Sequence, residues 1–177
     1  NLRGSREGGV IWHTTGSGKS FTMVFLSKAI IMNDSLKQCR IIVVTDRIDL
    51  ETQLSNTFLS GGELSGKRDR QSAMATSGTR LAEQIGKGNE RIIFSLIQKF
   101  NSATKLPDCH NDSPDIIVLV DEGHRSQGGE NHIRMTQALP NAAFVAFTGT
   151  PLLKDEKTVN KFGKIVHAYT MQRAVED

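Results

Sequence analysis

The sequence predicts an α/β fold, a mostly parallel sheet with helices on both of its faces. Three observations lead there. Five short runs rich in Val, Ile or Phe recur along the chain, at Val10–Trp12, Ile41–Val44, Ile92–Phe94, Ile116–Val120 and Ala143–Phe147. They are nearly continuous in apolar character rather than alternating, as strands buried on both faces are. Helix candidates lie between them, and the polar motifs follow directly on the runs, at the carboxyl ends of strands, where an open α/β sheet carries its ligands.

The first run leads into Thr14-Thr15-Gly16-Ser17-Gly18-Lys19-Ser20, and Lys19–Met32 then reads as an apolar-periodic helix. Strand, glycine-containing loop and helix in that order make a phosphate-binding loop. Its backbone N–H groups line a concave anion site, the helix dipole adds positive potential, and Gly16 and Gly18 let the backbone approach a phosphate closely. Thr15, Gly16, Ser17, Gly18, Lys19 and Ser20 are therefore the candidate nucleotide-binding residues. Lys19 would reach the β- and γ-phosphates, and the Ser20 hydroxyl would coordinate Mg²⁺. A glycine turn with a chance lysine is the competing explanation, but G-x-G-K-[ST] arises by accident in only about one in a hundred chains of this length. The fuller pattern G-x-x-x-x-G-K-[ST] wants glycine at position 13, where this chain has His13.

The second run passes into Thr45-Asp46-Arg47, with a helix expected over Asp49–Phe58. Ser60–Thr76 is polar, rich in Gly and Ser, and carries the small basic cluster Lys67, Arg68 and Arg70. It reads as an exposed, mobile loop. A helix over Thr79–Gly86 precedes the third run, which continues as IIFSLIQKF to Phe100. The fourth run ends in Asp121-Glu122-Gly123-His124-Arg125. A short helix near Ile133–Leu139 leads to the fifth, which ends in Thr148-Gly149-Thr150-Pro151, and Phe162–Tyr169 offers a late strand.

A carboxylate at the tip of a buried apolar strand is costly unless a positive group meets it. In a phosphate-loop fold that group is Mg²⁺, which makes Asp121 a candidate metal ligand beside Ser20. Glu122 can orient or deprotonate an attacking water, and His124 and Arg125 are placed to sense the γ-phosphate. Lys19, Asp121, Glu122 and His124 are thus the candidate catalytic residues. Acidic residues merely facing solvent at a strand end are the alternative, and the phosphate loop about 100 residues upstream weighs against it.

Thr148, Gly149 and Thr150 place two hydroxyls around a glycine at a strand end. They can contact a phosphate or the neighbouring carboxylates, and pass a change at the nucleotide to a bound partner; an ordinary turn is the plainer explanation. The same hydroxyl-plus-basic theme recurs at Thr45, Arg47, Ser95, Gln98 and Lys99, which line up along one edge of the sheet. Such side chains bind nucleic-acid phosphate backbones without reading sequence. Arg47 could instead cap the following helix, and Gln98 could sit on a solvated face.

At 177 residues the chain fits one domain, and its net charge of +3 permits a polyanionic partner without demanding one. Cys39 and Cys109 fit neither a metal spacing nor a disulfide framework, so free thiols in an intracellular protein are expected. No apolar run approaches the roughly 18 residues of a membrane span, and no signal peptide is evident. The opening NLRGSREGG, without an initiator methionine, reads as the tail of something else, so a larger parent protein is expected.

On these residues the chain resembles the first RecA-like domain of a superfamily 2 helicase or translocase. GSGKS is similar to motif I, TDRIDLETQ to motif Ia, SLIQKF to motif Ib, DEGH to motif II and TGTP to motif III, in order from about Gly8 to Pro151. The resemblance narrows to the motor (R) subunit of type I restriction endonucleases through IWHTTGSGKS with its His13, VVTDRIDL, DEGHRSQ, AFTGTPL and FGKIVHAYTMQRAVED. Gly123 departs from the DEAH or DECH usual there, while Asp121, Glu122 and His124 stand in place.

The resemblance implies a RecA-like P-loop NTPase domain that uses ATP and Mg²⁺, in a cytoplasmic motor that pumps double-stranded DNA. It implies modification and specificity subunits as partners, a second RecA-like domain in the same parent chain, and DNA cleavage far from the recognition site. Lys19 and Ser20 would then bind phosphate and Mg²⁺, Asp121 the metal, and Glu122 the water. Thr148 and Thr150 would couple the site to DNA, whose backbone Arg47, Ser95 and Gln98 would face. Residues 1–177 would be one ATP-binding domain, with 1–8 an upstream linker and 152–177 the start of the connection to the second domain. Alone, the piece would be nearly inactive. A superfamily 2 helicase acting in repair or on RNA is one alternative, and a non-hydrolysing nucleotide-binding scaffold is another; Asp121 and Glu122 argue against the latter.

Overall fold

Apolar residues in unbroken runs need cover on both faces, and the molecule supplies it. The structure, a computed structural model, describes residues 7–13, 18–45, 73–121, 129–149 and 165–169, together with positions 48, 52 and 56. Among these residues the strands are β1 (Gly9–His13), β2 (Arg40–Thr45), β3 (Ile92–Leu96), β4 (Ile116–Asp121), β5 (Ala143–Thr148) and β6 (Ile165–Tyr169). The helices are α1 (Lys19–Met32), α2 (Gly78–Lys87), α3 (Ile97–Ala103) and α4 (Gly129–Ala138). The strands form one sheet in the order β3-β2-β4-β5-β1-β6, every pairing parallel. The late strand expected within Phe162–Tyr169 is β6, on the edge beyond β1.

Successive strand side chains point to opposite faces, so each run feeds two cores. Ile42, Val44, Ile93, Val118 and Val120 pack with Leu81, Ile85, Phe100 and Met135 from α2, α3 and α4. Ile41, Val43, Phe94, Ile117 and Leu119 pack with Met23, Val24 and Ile30 of α1. Helices on both faces, as the sequence predicts, follow from this split. The outer side of α1 is also apolar, with Phe21 and Phe25 exposed.

Local chemistry sets the ends of α2. Ser77 caps its start, accepting from the Arg80 N–H at 3.1 Å. At its end the Arg40 guanidinium donates to the carbonyls of Gln84 (2.6 Å), Ile85 (3.3 Å) and Glu90 (2.9 Å), with the Glu90 carboxylate 3.7 Å away. A cation is favoured on the last carbonyls of a helix. Burial lowers the Arg40 pKa, partly offset by the charge of Glu90.

One expectation is corrected, and one helix is added. After the third run the chain leaves the sheet at Leu96, and α3 begins at once, burying Ile97, Phe100 and Ala103 at helical spacing. The segment Ser60–Thr76, read as an exposed loop, is covered just before its exposed last residue, Thr76. Ala73 and Ala75 are buried, Met74 bridges to Phe94, and the Ala75 N–H donates to the Phe94 carbonyl at 3.0 Å. Residues 60–72, with the basic cluster, lie outside the described residues, and of the helix expected over Asp49–Phe58 only Thr52 and Asn56 are described, both helical.

Candidate nucleotide site

All six strands point the same way, so their final residues meet at one edge. β1 and β2 lead on toward β3's side of the sheet, whereas β4 and β5 lead on toward β6's side. One reversal falls between β2 and β4, and open α/β sheets bind ligands at such a point. Thr45 ends β2 and Asp121 ends β4, one on each side of it.

Gly18 turns the chain into α1 with φ 83° and ψ 27°, the left-handed region that suits glycine. The Thr22 N–H donates to the Gly18 carbonyl at 3.0 Å, the first bond of the helix. The N–H groups before it have no acceptor within α1 and suit an anion. Lys19 and Ser20 occupy this first turn.

Asp121 is buried, and each of its oxygens has a partner. Lys19 Nζ lies 2.9 Å from Oδ1, and the Thr45 hydroxyl donates to Oδ2 at 3.4 Å. Sheet register makes the second contact: Val44 faces Val120 across β2 and β4, so Thr45 and Asp121 are the next residues along. A buried carboxylate is tolerable when paired and hydrogen-bonded. Among the described residues no three His, Cys, Asp or Glu gather to hold a metal. A lone strand-end carboxylate suits Mg²⁺, which takes one or two protein carboxylates and completes its shell with phosphate and water.

Thr148 ends β5 level with Trp12 of β1, while Asp121 is level with Phe147, so β5 lies between the loop strand and the carboxylate strand. Thr148 is fully buried and Gly149 half-buried. The edge expected to face a nucleic acid is only partly exposed. Gln98 is exposed on α3, but Thr45 and Ser95 are buried, and the Ser95 hydroxyl donates to the Leu96 carbonyl at 3.0 Å. Both hydroxyls are therefore buried here, and that of Thr45 serves Asp121. Thr15, Gly16, Ser17, Arg47, Glu122, His124, Arg125 and Thr150 lie outside the described residues.

The hydroxyl of Thr45 as partner to the carboxylate escapes the sequence, since 76 positions separate the two residues. Thr22 is a second omission. Its hydroxyl meets His13 Nε2 at 3.2 Å and the Gly18 carbonyl at 3.3 Å. The signal available was His13 itself, a large polar side chain where the loop pattern has glycine.

The family model for the SWI2/SNF2 ATPase matches residues 1–177. The chain is 40% identical over 192 residues to the type I restriction enzyme HindI endonuclease subunit of Haemophilus influenzae, covering 99% of this chain and 18% of that protein. It is 32% identical over 181 residues to the type I restriction enzyme SsaAORF53P endonuclease subunit of Staphylococcus saprophyticus, covering 96% and 18%. The chain thus spans less than a fifth of the length of these relatives. Among solved structures, the Hef helicase domain of Pyrococcus furiosus superposes with a TM-score of 0.64 at 16% identity, over 93% of this chain and 35% of that one. The type ISP restriction-modification enzyme LlaGI gives 0.61 at 18% identity, over 97% and 18%. At these identities the structures speak for a shared RecA-like helicase fold. No helix among the described residues is long and apolar enough to cross a membrane.

Proposed function

The chain belongs to the SWI2/SNF2 ATPase family, and from that premise we propose that it is the ATP-binding half of a motor that moves along double-stranded DNA within a type I restriction endonuclease. The observation that carries the reading is the pairing of Lys19 with buried Asp121 at the carboxyl edge of the sheet. A loop cation and a strand-end carboxylate, far apart in sequence yet in contact, are the two groups that a nucleotide triphosphate and its metal require. Similarity to endonuclease subunits of type I restriction enzymes supports the assignment to that system.

In this reading Thr15, Gly16, Ser17 and Gly18 cradle the phosphates, Lys19 contacts the β- and γ-phosphates, and Ser20 and Asp121 hold Mg²⁺. The metal would neutralise charge on the phosphoryl oxygens. Thr45 orients the Asp121 carboxylate, Glu122 handles the attacking water, His124 senses the γ-phosphate, and Thr148, Gly149 and Thr150 couple the site to DNA. Arg47 and Gln98 face the DNA backbone. A second RecA-like domain of the parent chain closes the cleft, and modification and specificity subunits complete the complex.

Lys19→Ala in the full-length parent complex tests this. ATP turnover is expected to fall at least about a hundredfold, as when a main electrostatic contact to the transition state is lost. Movement on duplex DNA, followed by triplex displacement, is expected to stop with subunit assembly intact. Loss of assembly with normal turnover would overturn the assignment, and extensive strand separation by the wild type would favour a helicase instead.

A further inference from the structure

The phosphate-binding loop is bracketed by two side chains that touch. His13, the last residue of β1, is buried, and Thr22 stands in the first turns of α1. Between them run residues 14–21, the whole phosphate-binding stretch. His13 Nε2 lies 3.2 Å from Thr22 Oγ1, which lies 3.3 Å from the Gly18 carbonyl. A threonine hydroxyl has one hydrogen to give and can accept two. Both contacts are hydrogen bonds together when Nε2–H donates to Oγ1 and the hydroxyl donates to the Gly18 oxygen. That oxygen also takes the Thr22 N–H at 3.0 Å. The chain of bonds runs from strand end, to helix, to the left-handed glycine that sets the loop's last turn, and such chains strengthen one another.

We propose that His13 is a positioning residue for the nucleotide: through Thr22 it holds Gly18 and the start of α1 in the geometry that receives the phosphates. Glycine at this position, as in the fuller loop pattern, has no side chain with which to make the link. A loop fixed before binding loses less conformational freedom on binding, which appears as affinity. The proposal rests on the reading of this loop as an ATP site.

The test uses the full-length parent protein with a fluorescent ATP analogue and Mg²⁺, with turnover followed in parallel. His13→Ala and Thr22→Val are each expected to weaken nucleotide affinity about threefold to tenfold, the worth of one hydrogen bond. KM for ATP is expected to rise by the same factor while kcat changes much less. The double variant is expected to be no weaker than either single one, because both remove the same link. Thr22→Ser, which keeps the hydroxyl, and His13→Gln, which keeps a donor, are expected to recover most of the affinity. A merely structural role would lower the melting temperature without this split between KM and kcat. Wild-type affinity in His13→Ala and Thr22→Val, or losses that multiply in the double variant, would overturn the proposal. Lys19→Ala distinguishes the two readings: if it binds and turns over ATP normally, the loop is no ATP site. If Lys19→Ala is inactive and His13→Ala normal, only the role of His13 falls. Should His13→Ala not fold, Thr22→Val and Thr22→Ser decide.

Discussion

Lys19 Nζ and Asp121 Oδ1 are 2.9 Å apart, so the loop cation and the strand-end carboxylate satisfy each other. In the proposed function each would change partner when a nucleotide and its metal enter, Lys19 for phosphate and Asp121 for Mg²⁺. ATP arriving without metal takes Lys19 and leaves a buried carboxylate with less compensation. Metal and nucleotide should therefore bind far better together than singly.

Asp121→Asn tests that linkage. The variant is expected to bind metal-free ATP more tightly than the wild type, because Lys19 is no longer held by a negative charge, while hydrolysis is lost. Titration of a fluorescent ATP analogue with and without a chelator reads the difference. A variant whose metal-free affinity falls would contradict the linkage.

Thr45→Val separates the two roles considered for that residue. Loss of a hydroxyl on a metal-holding carboxylate should cost about tenfold to a hundredfold in metal affinity or activity. Affinity of the parent protein for duplex DNA should not change, since Thr45 is buried. Weaker DNA binding with normal Mg²⁺ dependence of turnover would restore Thr45 to the DNA-facing edge.

The isolated chain is expected to bind Mg·ATP weakly and to hydrolyse it very slowly. An arginine supplied by a second domain is worth about 10³–10⁵ in rate in phosphoryl transfer. Steady-state ATPase measurement with and without duplex DNA checks this, and brisk DNA-stimulated turnover by the chain alone would sink the two-domain arrangement.

Burial pushes the Cys109 thiol up from its ordinary 9.0 to about 11. The unfolded chain loses this proton near pH 9.0, while the folded chain keeps it to about pH 11. The raised value therefore contributes stability that is complete below pH 9.0 and lost as pH rises through about 11. Denaturant midpoints measured from pH 8 to pH 10.5 should fall, and Cys109→Ala should flatten part of that slope. Native Cys109 should also resist alkylation at pH 8; rapid labelling of the folded chain would contradict its burial.

The strands and α1 were legible because their signals are local. Runs buried on both faces need no partner to be recognised, and α1 is bounded by Gly18, which its turn requires, and by Asn33, where the helix closes. Gly18 before a helix and Asp121 at a strand end were legible for the same reason, each belonging to a short motif that follows a strand. The order of the sheet was not, because Thr45 and Asp121 become neighbours only once β2 and β4 pair. The same long-range pairing makes Thr45 a buried donor. Helix α3 was not legible because polar Gln98 and Lys99 interrupt its apolar signal, while Ile97, Phe100 and Ala103 carry a helical period only one to two turns long.

β5 intervenes between β1, which leads to the loop, and β4, which carries Asp121. Adjacent strands are held about 4.8 Å apart by backbone hydrogen bonds, so β1 and β4 lie about 9.6 Å apart. That dimension is a ruler cut from main chain, and no substitution of a side chain on β5 can rescale it. Adaptation of this site to a ligand of another length must then come from the loop and the lysine arm, because the sheet beneath them has a fixed gauge.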